Sequence, residues 1–212
     1  MYKLDEVRAN QIADALAEDG YIVLEDLLPQ VLVDDLVLRA QHLGTKDYKK
    51  ASIGRGATQH LNVSIRTDET CWLEGVEASE AGYLAWMDSL RAYMNRYLYL
   101  GLFDYECHFA HYGQGDFYKK HLDVLRGSSN RVLTTVFYLN DTWQEGDGGE
   151  LLLYDEADTK VLETVTPKQG TLAIFLSEKF PHEVLPSHIE RYSIAGWFRV
   201  NGSTSKVVNT IQ

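Results

Sequence analysis

Residues 130–140 read NRVLTTVFYLN, a run of β-branched and aromatic residues that decides the fold class. Such residues favour the pleated, half-buried surface of a β-strand. Four more short apolar stretches lie downstream, at 150–154 (ELLLY), 160–165 (KVLETV), 171–176 (TLAIFL) and 190–200 (ERYSIAGWFRV). Glycine and proline turn signals separate these stretches, and several short strands joined by turns indicate a sandwich or a barrel.

The N-terminal part of the chain follows a helical period instead. Its apolar positions fall into two groups, Val7, Ile12, Ala15 and Leu16, and, after Pro29, Val31, Leu32, Leu36 and Leu43. A short strand over 21–24 separates these two helices, and residues 79–98 predict a third. We therefore expect an α+β fold in one domain over 1–212. Its double-stranded β-helix (jelly-roll) core spans 101–200, and mainly helical support with a loop spans 1–100.

The composition excludes several classes of protein. Lys and Arg number 20 against 31 Asp and Glu, a formal net charge of -11, whereas a duplex nucleic-acid binder needs a basic face. Cys71 and Cys107 form no C-x-x-C pair, so we expect neither a disulfide framework nor a thiolate zinc site. The start, MYKLDEVRAN, has no apolar run, and no stretch approaches the ~20 apolar residues of a membrane span. We expect a cytoplasmic protein without nucleic-acid or membrane partners.

The segment His121-Leu122-Asp123 carries two ligand-type side chains at i and i+2, on one side of an extended backbone. His182 lies in an apolar segment that enters another strand. Two histidines and one carboxylate, with open positions opposite them, form the facial triad of non-haem iron(II) oxygenases. Taken singly, these residues have simpler explanations, because seven histidines and many acids supply an H-x-D by chance.

Arg191 follows His182 by nine residues and begins another strand. Its planar guanidinium suits a bidentate carboxylate such as the far end of 2-oxoglutarate better than a lysine does. The alternative is a surface arginine paired with Glu190 or Glu183. The order H-x-D, His, Arg is more specific than its parts.

Together these motifs resemble the prolyl-hydroxylase branch of the 2-oxoglutarate oxygenases. The resemblance is to the oxygen-sensing animal enzymes and, more closely, to bacterial relatives that act on elongation factor Tu. It covers most of residues 50–200. The motifs that carry it are His121-x-Asp123, Pro181-His182-Glu183-Val184, Arg191-Tyr192-Ser193-Ile194, Trp197, Ile65-Arg66-x-Asp68, Trp72-Leu73-Glu74-Gly75, Tyr138-Leu139-Asn140, Trp143 and Gly148-Gly149.

The resemblance implies a role for each matching residue. His121, Asp123 and His182 would hold iron(II). Arg191 and Tyr138 would bind 2-oxoglutarate, and Tyr112 and Tyr118 would line the pocket. Arg131 and Trp197 would border the substrate proline. The gap from Tyr112 to His121 is one residue shorter than in the animal enzymes, so the role of Tyr112 stays open. The alternatives are a core aromatic for Tyr138, a solvated strand end for Arg131 and a core tryptophan for Trp197.

Residues 44–70 are polar and punctuated by Gly44, Gly54 and Gly56, which predicts a long loop or a short hairpin. The resemblance makes 54–66 of this stretch a substrate loop, with Arg55 and Arg66 as substrate-binding residues. An ordinary surface loop is the alternative.

The expected activity is prolyl hydroxylation of a protein, with elongation factor Tu as the substrate and succinate and carbon dioxide as coproducts. Iron(II), 2-oxoglutarate, dioxygen and ascorbate are the expected cofactors and cosubstrates, and we expect a monomer. Two other functions stay open. One is a 2-oxoglutarate oxygenase that acts on another protein residue or a small molecule, and the other is a non-catalytic jelly-roll binding module.

Overall fold

The computed structural model describes residues 2–44, 46–52, 61–123 and 130–201. Within these ranges the helices are α1 (Glu6–Glu18), α2 (Gln30–His42) and α3 (Ala78–Leu98). The strands are β1 (Tyr21–Leu24), β2 (Lys49–Lys50), β3 (Glu69–Trp72), β4 (Leu102–Tyr112), β5 (Tyr118–His121), β6 (Arg131–Tyr138), β7 (Leu151–Tyr154), β8 (Val161–Val165), β9 (Leu172–Leu176), β10 (His182–Val184) and β11 (Arg191–Val200). No helix of the described ranges is both long and apolar enough to cross a membrane.

The strands form two sheets. The major sheet has the order β1-β9-β6-β11-β4-β3-β2, and the minor sheet has the order β5-β10-β7-β8. Strand neighbours in both sheets run antiparallel, as in the pairing of β11 with β4 and with β6. This arrangement confirms the predicted jelly-roll core with helical support.

Side chains alternate across the major sheet, because successive residues of a strand point to opposite faces. One face packs against the helices and forms the helix-side core, which includes Phe109, Phe137 and Ile194. The other face points at the minor sheet and forms the inter-sheet interior, which includes Tyr112 and Tyr138. The residues predicted to bind a carboxylate lie on this second face, and the predicted metal ligands lie opposite it.

Two apolar positions of the predicted helices lie outside the buried faces. Val7 in α1 is 77% exposed and Val31 in α2 is 65% exposed. The buried stripes of the two helices are Ala9, Ile12, Ala13 and Leu16, and Leu32, Val33, Leu36 and Ala40. The α1 stripe is spaced i, i+3, i+4, i+7 and the α2 stripe i, i+1, i+4, i+8, so each lies on one face of its helix. The two valines precede these stripes in the first helical turn and point away from the core.

The polar stretch over 44–70 contains one short strand, β2, and the start of β3. The strand β2 pairs with β3, and the residues just before β3 also reach the minor sheet. The Lys119 backbone N–H donates to the Ile65 carbonyl at 2.8 Å, and the Thr67 N–H donates to the Phe117 carbonyl at 3.1 Å. Residues 53–60, which include the predicted substrate-binding Arg55, lie outside the described residues.

Candidate metal centre and anion pocket

Two neighbouring strands of the minor sheet bring the predicted triad together. His121 ends β5, and His182 begins β10 directly opposite it in the antiparallel register. Asp123 follows β5 by two residues, with its carboxylate 3.8 Å from His121 Nε2 and 3.5 Å from His182 Nε2. The candidate ligand atoms of the three residues all lie within 4.8 Å of one another. This spacing suits one divalent cation held on one side and open on the other.

Backbone carbonyls fix the orientation of both histidine rings. His121 Nδ1–H donates to the Lys119 carbonyl at 2.8 Å, and His182 Nδ1–H donates to the Phe180 carbonyl at 3.1 Å. A carbonyl oxygen only accepts, so each Nδ1 carries a proton, and Nε2 is the ring atom of each histidine that faces the Asp123 carboxylate. Burial and the neighbouring His182 lower the pKa of His121, so its ring stays neutral. Nε2 is therefore the atom of each ring that is left to bind a metal.

The Asp123 carboxylate is ionised and oriented by a hydroxyl. Burial alone raises its pKa, but the rings of His182 and His121 outweigh this effect and lower it below the ordinary value. The Thr134 hydroxyl of β6 donates to Asp123 Oδ2 at 2.7 Å and lies 2.9 Å from Ser177 Oγ. A buried, ionised carboxylate beside two imidazole rings is the anionic member that a cation site needs.

Arg191 is a buried cation without a carboxylate partner among the residues that the structure describes. Its side chain is 1% exposed. Its Nε–H donates to the Gly149 carbonyl at 2.9 Å, its Nη1–H donates to Ser193 Oγ at 3.2 Å, and Nη2 has no partner within the described ranges. A surface pairing with Glu190 or Glu183 is therefore wrong for this arginine. A buried guanidinium that lacks a counter-charge is an anion-binding site.

Two tyrosines flank this guanidinium. Its carbon lies 4.6 Å from the Tyr112 ring centroid and 5.1 Å from the Tyr138 ring centroid. The Tyr138 hydroxyl is buried and has no partner within the described ranges. Burial raises the pKa of Tyr138 to about 12, so the hydroxyl keeps its proton and is able to donate. Arg191 Nη2 and the Tyr138 hydroxyl thus supply two unused donors for one carboxylate.

Two glycines shape the backbone around Arg191. Gly149 has φ +68°, and a Cβ there would lie 2.9 Å from Arg191 Cδ. Gly148 has φ +73°, and a Cβ there would overlap the Pro186 carbonyl oxygen. Both positions require glycine because of the positive φ and the close approach. This requirement gives a physical reason for the Gly148-Gly149 pair.

Tyr118 and Arg66 lie beside the triad. The Tyr118 ring stacks on His121 with 3.6 Å between centroids, and the Arg66 guanidinium lies 4.2 Å from the Tyr118 ring centroid. Arg66 donates twice to the buried Asp68, at 2.7 and 2.5 Å. The predicted substrate-binding Arg66 is therefore held internally by Asp68, next to a candidate metal ligand.

Arg131 and Trp197 form a stacked pair on strands β6 and β11 of the major sheet. The Arg131 guanidinium stacks 3.6 Å from the Trp197 ring centroid and donates to Glu106 Oε1 at 2.9 Å. Trp197 is paired with Thr134 across β11 and β6, which places it beside the residue that binds Asp123. Their predicted role at the substrate proline stays a prediction.

Several residues of the site were not found from the sequence. They are Thr134, Ser177 and Ser193, together with the carbonyls of Lys119, Phe180 and Gly149. One signal was available for Thr134, since it shares a strand face with Tyr138 at i and i+4. Every residue has a backbone carbonyl whatever its side chain, so the sequence could not reveal which carbonyls accept these hydrogen bonds.

The family comparison agrees with this geometry. The model of the 2OG-Fe(II) oxygenase superfamily matches residues 107–199, a range that contains the triad and Arg191. Human prolyl hydroxylase EGLN3 is 27% identical over 208 residues, which cover 92% of this chain and 84% of that protein.

Solved structures are similar over most of the chain. A prolyl-4-hydroxylase from Pseudomonas putida has a TM-score of 0.83 and 38% identity, covering 92% of this chain and 100% of that chain. A Trichoplax adhaerens prolyl hydroxylase, solved with a peptide fragment of the hypoxia inducible factor oxygen degradation domain, has a TM-score of 0.78 and 27% identity. That match covers 92% of this chain and 90% of the other.

Proposed function

Because the chain belongs to the 2OG-Fe(II) oxygenase superfamily, we propose that it hydroxylates a prolyl residue of a protein, and that this protein is elongation factor Tu. The observation that carries the proposal is the pair of unused donors, Arg191 Nη2 and the Tyr138 hydroxyl. They lie on the major-sheet face that points at the minor sheet, where His121, Asp123 and His182 form the candidate metal centre. The family uses iron(II), 2-oxoglutarate and dioxygen.

In this proposal the chain binds both cofactors with preformed groups. The two Nε2 atoms of His121 and His182 and the Asp123 carboxylate hold the metal. Arg191 and Tyr138 bind the far carboxylate of 2-oxoglutarate through charge-assisted hydrogen bonds, and Tyr112 and Tyr118 line the space between. When bound, iron(II) with 2-oxoglutarate and dioxygen supplies the chemistry that inserts one oxygen atom into a carbon–hydrogen bond, with release of succinate and carbon dioxide.

The protein contributes orientation and exclusion of water. The triad carboxylate is buried and fixed by Thr134, so it presents its free oxygen in one direction. Arg131, Trp197, Arg66 and Arg55 are proposed to contact the polypeptide. The whole of 1–212 acts as one oxygenase domain in this proposal.

Support for a polypeptide substrate comes from the similar proteins, which are prolyl hydroxylases in P. putida, human and T. adhaerens. Elongation factor Tu is the substrate of the bacterial enzymes that the sequence motifs resemble. A cytoplasmic location fits that substrate, and we further propose that the enzyme is a monomer and that ascorbate sustains its turnover.

The test is a hydroxylation assay. Purified protein with iron(II), ascorbate and 2-oxoglutarate should form succinate when it is offered an elongation factor Tu peptide with the target proline, and mass spectrometry should locate one added oxygen atom on that proline. Succinate without modification of the peptide or the intact factor would favour a small-molecule or other protein substrate. A metal-loaded protein that forms no succinate with any of these would indicate a binding module.

A further inference from the structure

We propose that His108 binds the backbone of the polypeptide substrate beside the target residue, in an aromatic wall formed by Trp72, His108 and Trp197. The inference rests on the proposed function and deepens it, since the proposed function assigns no role to His108 or Trp72. The wall would extend the substrate site from Trp197 across the major sheet to the protein surface.

The aromatic wall is continuous across neighbouring strands. Trp72 of β3 is the direct cross-strand partner of His108 in β4, so both rings lie on one sheet face. Their centroids are 5.1 Å apart in an edge-on contact. The His108 and Trp197 centroids are 5.4 Å apart, and Arg131 stacks on Trp197.

His108 has an unused polar atom in this wall. The residue is 4% exposed, and its Nδ1 has no hydrogen-bond partner within the described residues. Burial, with the nearby charges of Arg66 and Arg131, lowers the pKa of His108 to about 3, so the ring is neutral. A buried nitrogen without a partner destabilises the free protein, and a ligand that pairs with it regains that free energy.

The position of His108 separates it from the 2-oxoglutarate end of the interior. Tyr112, which contacts Arg191, lies four residues further along the same face of β4, a distance of roughly 13 Å at the rise of a strand. The group that meets His108 is therefore not the far carboxylate of the cosubstrate. At its other edge the wall opens to solvent, since Trp72 is 52% exposed.

A polypeptide fits such a wall better than a small molecule does. The inner end of the wall is Trp197, whose cross-strand partner Thr134 binds Asp123, and the outer end is the exposed Trp72. An extended chain lying across it presents a peptide group to His108 and apolar side chains to the two tryptophans. A hydrogen bond to a peptide group, with flanking aromatic contact, is a common mode of peptide recognition.

The test compares His108→Leu with His108→Asn, because the asparagine amide reaches the position of Nδ1 and leucine offers no polar atom. The probe is the elongation factor Tu peptide, with kcat and KM measured for peptide and 2-oxoglutarate. His108→Leu should raise the peptide KM roughly tenfold, equivalent to about 1.4 kcal/mol, and leave the 2-oxoglutarate KM unchanged. His108→Asn should restore most of the peptide affinity.

Peptide affinity is also measured by calorimetry on the manganese(II)- and 2-oxoglutarate-loaded enzyme without dioxygen. Trp72→Ala should weaken peptide binding and Trp72→Phe should largely preserve it, with the distant exposed Val31→Ala as the control.

An unchanged peptide KM in His108→Leu, or a rise confined to the 2-oxoglutarate KM, would overturn the inference while the proposed function stands. A wild-type enzyme that modifies neither peptide nor intact factor would overturn both.

Discussion

The two faces of the major sheet are built from the same strands but differ in how completely their atoms are satisfied. On β6, Phe137 points into the helix-side core, where apolar side chains fill the space. Its neighbour Tyr138 points into the inter-sheet interior with an unpaired hydroxyl. On β11, Ile194 and Arg191 repeat the contrast. Four of the five buried side-chain atoms without a partner in the described ranges, all except Trp86 Nε1, belong to residues on the inter-sheet face.

This difference separates the residues that stabilise the fold from those that bind ligands. A core of close-packed apolar groups gains free energy in the free protein. An interior with unpaired donors loses free energy until a ligand pairs with them, so it is retained for binding. Alternate residues of one strand should therefore respond to mutation in opposite ways.

The largest expected effect is the loss of turnover in His182→Ala. Removal of one imidazole leaves two candidate ligands, and we expect hydroxylation to fall by at least roughly 1,000-fold, or about 4 kcal/mol of activation free energy. Metal-induced thermal stabilisation should also vanish. The matched control is His42→Ala on the exposed side of α2, and wild-type-like activity in His182→Ala would remove His182 from the metal site.

Next in size is a pair of adjacent substitutions on β6. Phe137→Ala should lower the free energy of unfolding by about 3–5 kcal/mol, because it opens a cavity in the helix-side core. Tyr138→Phe should leave that free energy nearly unchanged and raise the 2-oxoglutarate KM roughly tenfold, because it removes a donor to a carboxylate. Urea denaturation and steady-state kinetics distinguish the two, and equal stability losses would contradict the contrast between the faces.

Arg191→Met should have a smaller effect, and it should stabilise the metal-free protein rather than destabilise it. It removes a buried charge that has no acidic partner in the described residues, so the metal-free protein should become more stable by about 1 kcal/mol. The same variant should no longer be stabilised by 2-oxoglutarate in a thermal melt, unlike the wild type. A destabilisation of several kcal/mol would mean that the guanidinium belongs to the packed fold rather than to a ligand site.

The remaining prediction concerns the pH dependence of stability. The pKa of His108 is lowered to about 3 in the folded protein, against an unfolded value of roughly 6.5. The unfolded chain binds the proton more tightly, so this residue's contribution is fully present above pH ~6.5 and is lost as the pH falls towards about 3. Melts of metal-free His108→Leu should decline less over this window than those of the wild type, and identical slopes would contradict the assignment.

Much of the fold was predictable because strand alternation and turn residues are local signals. The stretch NRVLTTVFYLN forms β6, and the predicted strand over 190–200 forms β11. Val7 and Val31 belong to the apolar pattern but are exposed, because helix patterning alone does not fix where the buried stripe begins. The pairing of β5 with β10 is set by long-range register, so the sequence could suggest His121 and His182 as partners but not their distance.

The candidate site was predictable in its ligating side chains and not in their supports. His121, Asp123, His182 and Arg191 carry a recognisable order and chemistry. Thr134 and the backbone carbonyls that orient them become visible only once the strands are assembled. His108 was overlooked because an unpaired nitrogen is a property of packing rather than of residue type.

The central claim is that the inter-sheet face is incomplete without a metal and an oxo-acid. A crystal structure grown without dioxygen in manganese(II) and 2-oxoglutarate tests it most directly. We predict density for a metal between His121, Asp123 and His182, with the far carboxylate of the oxo-acid on Arg191 Nη2 and the Tyr138 hydroxyl. A metal bound elsewhere, or an oxo-acid whose far carboxylate avoids both of those donors, would contradict the account.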